Sequence, residues 1–203
     1  MYLPPLYKEE DPHTIVDFLH RHNFAAIISH DGTQLLATHA VVETQALPNG
    51  NLQIYGHIAR VNPQWQTFGA QELLLIFEGP HTYISPRWYD HPNVPTWNYM
   101  MVHAYGQARL LHGQELQDLF TRLVDQHEHG TGYNLNALPP DMVRKQMDAT
   151  VGFVIDVSRV QAGWKLSQNR NPGDHANIID QLHARGDDAS TAIANEMAKR
   201  KKS

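Results

Sequence analysis

The sequence predicts a mainly β protein, a small antiparallel β-barrel with peripheral helices. Three observations carry this expectation. Segments that alternate apolar and polar residues outnumber those with helical spacing. Short turn signals, Asp31-Gly32 and Pro48-Asn49-Gly50, separate the early ones and suit hairpin connections. Helical patterns are confined to the start of the chain, one insertion and the end, which leaves the strands as a contiguous set.

Taken in order, Asp11-Pro12 supplies a cap and a proline at the first helical position. Ile15, Phe18, Leu19 and His22 then mark one face of a short helix ending near Asn23. Three strands of a meander follow: FAAIIS from Phe24, QLLATHAVVET from Gln34 and NLQIYGHIAR from Asn51. Leu73, Leu74, Leu75, Ile76 and Phe77 form an unbroken apolar run, which suits a strand buried on both faces. Gly79-Pro80 is expected to break that strand, with HTYIS resuming as another. A long strand is predicted from residue 96 to residue 111. Asn98, Met100, Val102, Ala104, Gly106 and Ala108 share one of its faces, while Trp97, Tyr99, Met101, His103 and Tyr105 share the other.

Leu116, Leu119, Phe120, Leu123 and Val124 recur at helical spacing, predicting an amphipathic helix over about residues 114–127. A second helix, over about 141–147, follows Pro139-Pro140, and VGFVIDVSRV returns to strand. From Asp174 the chain reads as two helices separated at Gly186. The expected organisation is a barrel domain over 1–173, with a helical insertion near 114–147, and a helical tail over 174–203 packed on the same domain.

Composition narrows the function classes. Sixteen Lys and Arg against 21 Asp and Glu give a formal charge of −5, which provides no footprint for non-specific nucleic-acid binding. The basic run Lys199-Arg200-Lys201-Lys202 reads as a solvated end. The absence of cysteine excludes disulfides, thiolate catalysis and cysteine-ligated metals. No segment approaches the roughly 20 apolar residues that span a bilayer, and MYLPPLYKEED lacks a basic start followed by an apolar segment. A cytoplasmic protein with no membrane partner is expected.

Familiar catalytic motifs are missing: there is no GxGxxG, no GxxxxGK[ST] and no GxSxG. His20 with His22, and His127-Glu128-His129, lack the spacing of a metal helix, so no metal site is expected. The unusual residue is Arg60. Leu52, Ile54, Gly56 and Ile58 alternate on one strand face, and Arg60 is next in that register. Either the strand leaves the core there or an anion meets the guanidinium. Arg60, Lys165 and Arg170 suit a phosphate, which a guanidinium meets with a planar fork and a lysine with a point charge. His57, Asn62 and Gln64 flank the first; Ser167, Gln168 and Asn169 lie between the other two. Donor-rich clusters at strand ends suit a ligand bearing a phosphate and a hydrogen-bonding ring. Tyr83, Trp88, Tyr89, Trp97 and Tyr99 read as a stacking wall or as core and dimer contacts, and Asn98 needs a partner if buried.

In order, MYLPPLY, ATHAVV, HIARVNPQW, GPHTYISPRWY, VPTWNYMMVHAYG and KLSQNR resemble the PaiB-type family of FMN-binding negative transcriptional regulators over nearly the whole chain. The resemblance implies an FMN-binding split β-barrel, related to pyridoxamine-phosphate oxidase-like proteins, that forms a homodimer with FMN between the subunits. It places Thr38 and His39 beside the flavin, and His57, Arg60 and Asn62 at the phosphate or ribityl end. Trp97, Asn98 and Tyr99 would lie along the adjoining strand, with Lys165, Gln168 and Arg170 completing the site from the partner subunit or the same one. Arg87 and Ala40 depart from the family pattern, which has a small residue and a longer side chain at those positions. The resemblance further implies a flavin-dependent transcriptional regulator or redox sensor. An FMN-dependent oxidoreductase and a haem-utilisation enzyme on the same barrel are the competing expectations. DNA binding would fall to the last two helices, but Asp187 and Asp188 are better read as helix-start residues opposing the dipole.

Overall fold

The protein is described by a computed structural model that covers residues 1–200. A two-residue strand, β1 (Lys8–Glu9), precedes α1 (Pro12–Arg21), and then come β2 (Phe24–His30), β3 (Leu35–Ala46) and β4 (Leu52–Ala59). They are followed by β5 (Glu72–Ile84), β6 (Thr96–Leu111), α2 (Gly113–Glu128), α3 (Pro140–Asp148), β7 (Thr150–Lys165), α4 (Pro172–Arg185) and α5 (Asp188–Lys199). The expected meander is present, since β2, β3 and β4 pair antiparallel in sequence order. The sheet runs β1-β7-β4-β3-β2-β5-β6, and a further pairing of β7 with β6 closes six of the strands into a ring. Closure removes the unpaired edges that an open sheet exposes.

The predicted alternation along β6 holds. Asn98, Met100, Val102, Ala104, Gly106 and Ala108 are all buried. Where β6 meets β7, a Cβ on Gly106 would lie 2.2 Å from the Asp156 carbonyl oxygen and 2.7 Å from the Ile155 side chain. Glycine is required there because a neighbouring backbone occupies the space of a side chain. β5 differs from expectation. It is one 13-residue strand through Gly79-Pro80, and it alternates buried and exposed residues instead of burying both faces. Gly79 does not break it, because its missing side chain makes room: a Cβ would stand 2.5 Å from the Phe18 ring. The apolar run therefore marks one core face and one half-covered face.

The chain forms two compact units, one from Met1–Phe18, Glu78–His103 and the residues from Gln161 onward, the other from Leu19–Phe77 and Ala104–Val160. In the first, Phe18 and Trp164 are buried with ring centroids 5.0 Å apart. Ile178, Leu182, Ile193 and Met197 of the last two helices are also buried there. In the second, Ile27, Val42, Ile54, Leu73, Leu75 and Phe153 are fully buried. Each large side chain so buried contributes about 1.5–3 kcal/mol. α2 sits close to β7 because Gly152 lacks a side chain, a Cβ at that position falling 2.4 Å from Leu116.

Gly106→Ala is expected to destabilise the protein by about 1–3 kcal/mol, since the β7 backbone cannot yield to the methyl group. Urea denaturation measures this, and an unchanged midpoint would show that β6 and β7 do not approach this closely.

Candidate functional site

The residues singled out from the sequence fall into two groups, one in each compact unit. The group in the unit containing the meander comprises Thr38, His39, His57, Arg60 and Asn62. β4 ends at Ala59, so Arg60 does leave the core, and it is exposed. Its Nε donates to the Asp148 carbonyl at 2.6 Å and its Nη2 to the Thr150 carbonyl at 2.8 Å. These bonds satisfy the last carbonyl of α3, where a cation also opposes the helix dipole, and the first carbonyl of β7. Asn62 caps the short 3-10 turn Pro63–Thr67 by accepting from the Gln64 backbone N–H. Its Nδ2 donates to Thr38 Oγ1 at 2.8 Å, so these two residues are brought together at the ends of adjacent strands. Trp65 closes the turn by donating from Nε1 to the Arg60 carbonyl.

His39 and His57 occupy the opposite strand parity from Thr38 and Gly56. His39 is exposed and stacks on Phe24, whereas His57 lies beneath Phe120 with ring centroids 5.0 Å apart. Burial pushes the His57 imidazole down from its ordinary range, and its buried Nδ1 has no hydrogen-bond partner among the described residues. Gln64 matters more than its sequence setting suggests. Its side chain is 1% exposed and its Nε2 donates to the Ile27 carbonyl, fixing the turn after Asn62 to β2. A glutamine in a loop carries no sequence signal of that role.

The second group comprises Trp97, Asn98, Tyr99, Lys165, Gln168 and Arg170. Asn98 is completely buried and meets its need for a partner through Ser167, donating from Nδ2 at 3.0 Å and accepting at Oδ1 from the serine hydroxyl. Ser167 has φ of +60°, a left-handed conformation that costs a non-glycine residue, and the Asn98 contact holds it there. Gln168 folds back on the same turn, accepting from the Leu166 N–H and donating to the Trp164 carbonyl. Lys165 donates to Thr96 Oγ1 at 2.6 Å. Its ammonium is pushed down by burial and, secondarily, by the nearby Arg170 guanidinium. Arg170 itself lies over the Tyr89 ring, 4.5 Å from the centroid. Trp97 is 52% exposed and meets Tyr83 edge-on, and Tyr99 on the same strand face is half-buried.

Among the described residues, Arg60, Lys165 and Arg170 form no ion pair with a carboxylate. Arg109, Arg122, Arg144, Arg159 and Arg200 all do. The three cations predicted from sequence are thus unneutralised, and two of them crowd each other. For Lys165, partial burial beside Arg170 disfavours the charged form, which an anion would offset. Within its own unit, Arg60 lies near the bonded pair Thr38 and Asn62, and within the other, Lys165 and Arg170 share a unit with Trp97 and Tyr99.

Residues 1–159 match the family described as "Putative FMN-binding domain". The chain is 38% identical to "Protease synthase and sporulation protein PAI 2" of Bacillus subtilis (strain 168), over 90% of this chain and 89% of that protein. Among solved structures, the flavocytochrome Anf3 from Azotobacter vinelandii superposes with a TM-score of 0.64 at 16% identity, covering 84% of this chain and 75% of that one. The FAD and heme binding protein from Mycobacterium smegmatis gives 0.64 at 10% identity, covering 89% and 80%. At such identities the likeness establishes the fold.

Burial of His57 and His22 sets a pH dependence, because both imidazoles are pushed down by desolvation. The unfolded chain binds protons at an ordinary value of about 6.5 that the folded chain does not. Their contribution is therefore complete above that value and is lost as pH falls toward the folded values. Urea midpoints should fall between pH 7 and pH 5, and His57→Gln should flatten the decline. An identical slope in the variant would remove His57 as a contributor.

Proposed function

The chain belongs to this FMN-binding family, as an FMN-binding split β-barrel protein of the PaiB type, and from that premise we propose how its own residues hold the cofactor and what it does. The observation that carries the proposal is the set of three cations without carboxylate partners. Arg60 keeps one terminal guanidinium nitrogen beyond the two that bind carbonyls, and directs it to the phosphate. Lys165 and Arg170 complete the anion site, from the same chain or from the partner copy. Thr38 and Asn62, already bonded to each other, present a polar edge to the ribityl chain and ring, with His39 beside the ring. His57 backs the phosphate end, and Trp97 and Tyr99 flank the flavin along β6. Asn98 and Gln168 act as positioning residues, since they fix the turn that bears Lys165 and Arg170. When bound, the isoalloxazine ring supplies redox chemistry.

The working form we propose is a cytoplasmic homodimer. The exposed aromatic edge of Trp97 and Tyr83 supports a contact between copies, because exposed tryptophan and tyrosine are typical of interface cores. The function we propose is flavin-dependent regulation, as a redox or flavin sensor. The sporulation and protease-synthesis name of the Bacillus subtilis relative supports that direction. A direct DNA reader is the weaker form of it, as the first turn of α5 is engaged elsewhere: Ser190 is fully buried and bonded to Thr82.

Heat release of small molecules from purified protein should yield a flavin with the absorption and fluorescence of FMN. A colourless protein that also fails to take up added FMN would refute the reading. Arg60→Ala should weaken FMN about 10–100-fold, the worth of a charged hydrogen bond, and riboflavin much less. Equal losses for the two ligands would reject the phosphate role of Arg60.

A further inference from the structure

The unit containing the meander holds a cavity of about 620 Å³ between α2, α3, the segment around Leu135 and the adjoining ends of β6 and β7. That volume lies within the range of about 300–1,000 Å³ typical of small-molecule sites. Leu111, Leu116 and Phe120 line one side and Leu138, Val143 and Met147 the other, with polar side chains such as Gln117 and Asn136 between them. Water gains little against the apolar side chains. Charged side chains reach it from Arg60, Arg144 and Asp148. Arg60 lines the cavity, and its guanidinium is held rigid by the Asp148 and Thr150 carbonyls without a carboxylate to neutralise it. Arg144 also lines it but is paired with Asp141, and Asp148 contributes the single carboxylate among the lining residues.

We propose that this cavity binds a second ligand, a monocarboxylic acid with an apolar body, whose carboxylate meets Arg60 and whose body lies between α2 and α3. A fixed guanidinium at the rim of such a chamber selects an anionic head on an uncharged tail, since a guanidinium pairs well with a carboxylate oxygen. The site is distinct from the flavin residues except for Arg60, so carboxylate and FMN phosphate would compete for one guanidinium. In that respect alone the inference rests on the flavin reading.

The test is calorimetric titration of decanoate, and separately of decanol, into the purified protein. Saturable one-to-one binding of decanoate is expected, at least five-fold tighter than decanol, with the preference lost in Arg60→Ala. Val143→Trp, which fills the chamber, should weaken decanoate at least ten-fold while keeping the parent's melting temperature and its content of co-purified flavin. No saturable binding of decanoate, or binding unchanged in a folded Val143→Trp, would overturn the proposal. Loss of flavin from that variant would overturn it too, by giving the chamber to the cofactor. A protein that carries no flavin yet binds decanoate as described would sink the flavin reading and uphold this one.

Discussion

Everything in the ring of strands depends on β6 and β7 meeting, and they meet because residue 106 has no side chain. With the Asp156 carbonyl so near the Gly106 Cα, any larger residue would have to push two central strands apart. Glycine costs backbone entropy in a strand, and the closed ladder offsets that cost. Closure then dictates where polar side chains can go. Along β4 one parity is committed to the core, and a charge in that parity appears only where the strand has ended. Arg60 obeys this rule, appearing one residue beyond the last residue of β4.

The cations at these strand ends differ from several others in the chain. Arg122 holds Glu43 with two short bonds, and Arg200 reaches both Glu9 and Glu196. Those pairs are complete, and a further anion would gain little from them. Lys165 has instead a hydroxyl partner and a neighbouring arginine. Partial burial beside a like charge is an unfavourable place for an ammonium. The chain maintains the arrangement with considerable machinery: a strained Ser167, a buried Asn98 bonded to it twice, and a glutamine tying the turn to Trp164. Preorganised charge of this kind stabilises whatever anion arrives without further reorganisation.

Much of the fold was legible in the sequence, because periodicity is a local signal. β6 begins and ends where alternation predicts, and the last two helices are divided at Gly186, whose left-handed φ ends α4. β5 was misread at Gly79-Pro80, because a glycine that makes room for a distant ring looks in sequence like one that ends a strand. The candidate site was legible as residue types and positions at strand ends. Its supports were not. Asn98 and Ser167 are 69 positions apart, and the carbonyls that hold Arg60 lie 88 and 90 residues beyond it. Spacing carries no trace of such pairings, and the cavity beside α3 depends on how two helices lean, which no local pattern encodes.

The C-terminal helices show how a superficial motif yields to its own contacts. A helix, a glycine turn and a second helix resemble a DNA-reading pair, which requires the start of the second helix to face a groove. Here Asp187 spends its carboxylate on the Ser190 backbone and hydroxyl, and Ser190 is buried against Thr82. Arg185 adds bonds to Thr82 and to the Tyr83 carbonyl, so the turn is fastened to β5. At the other end of α5, Met197 is buried with its sulfur 3.4 Å from the Asn98 amide. The tail thereby braces the residue that holds Ser167, and through it the turn carrying Lys165 and Arg170. Its contacts make α5 a support for that turn, with the start of the helix fastened to β5.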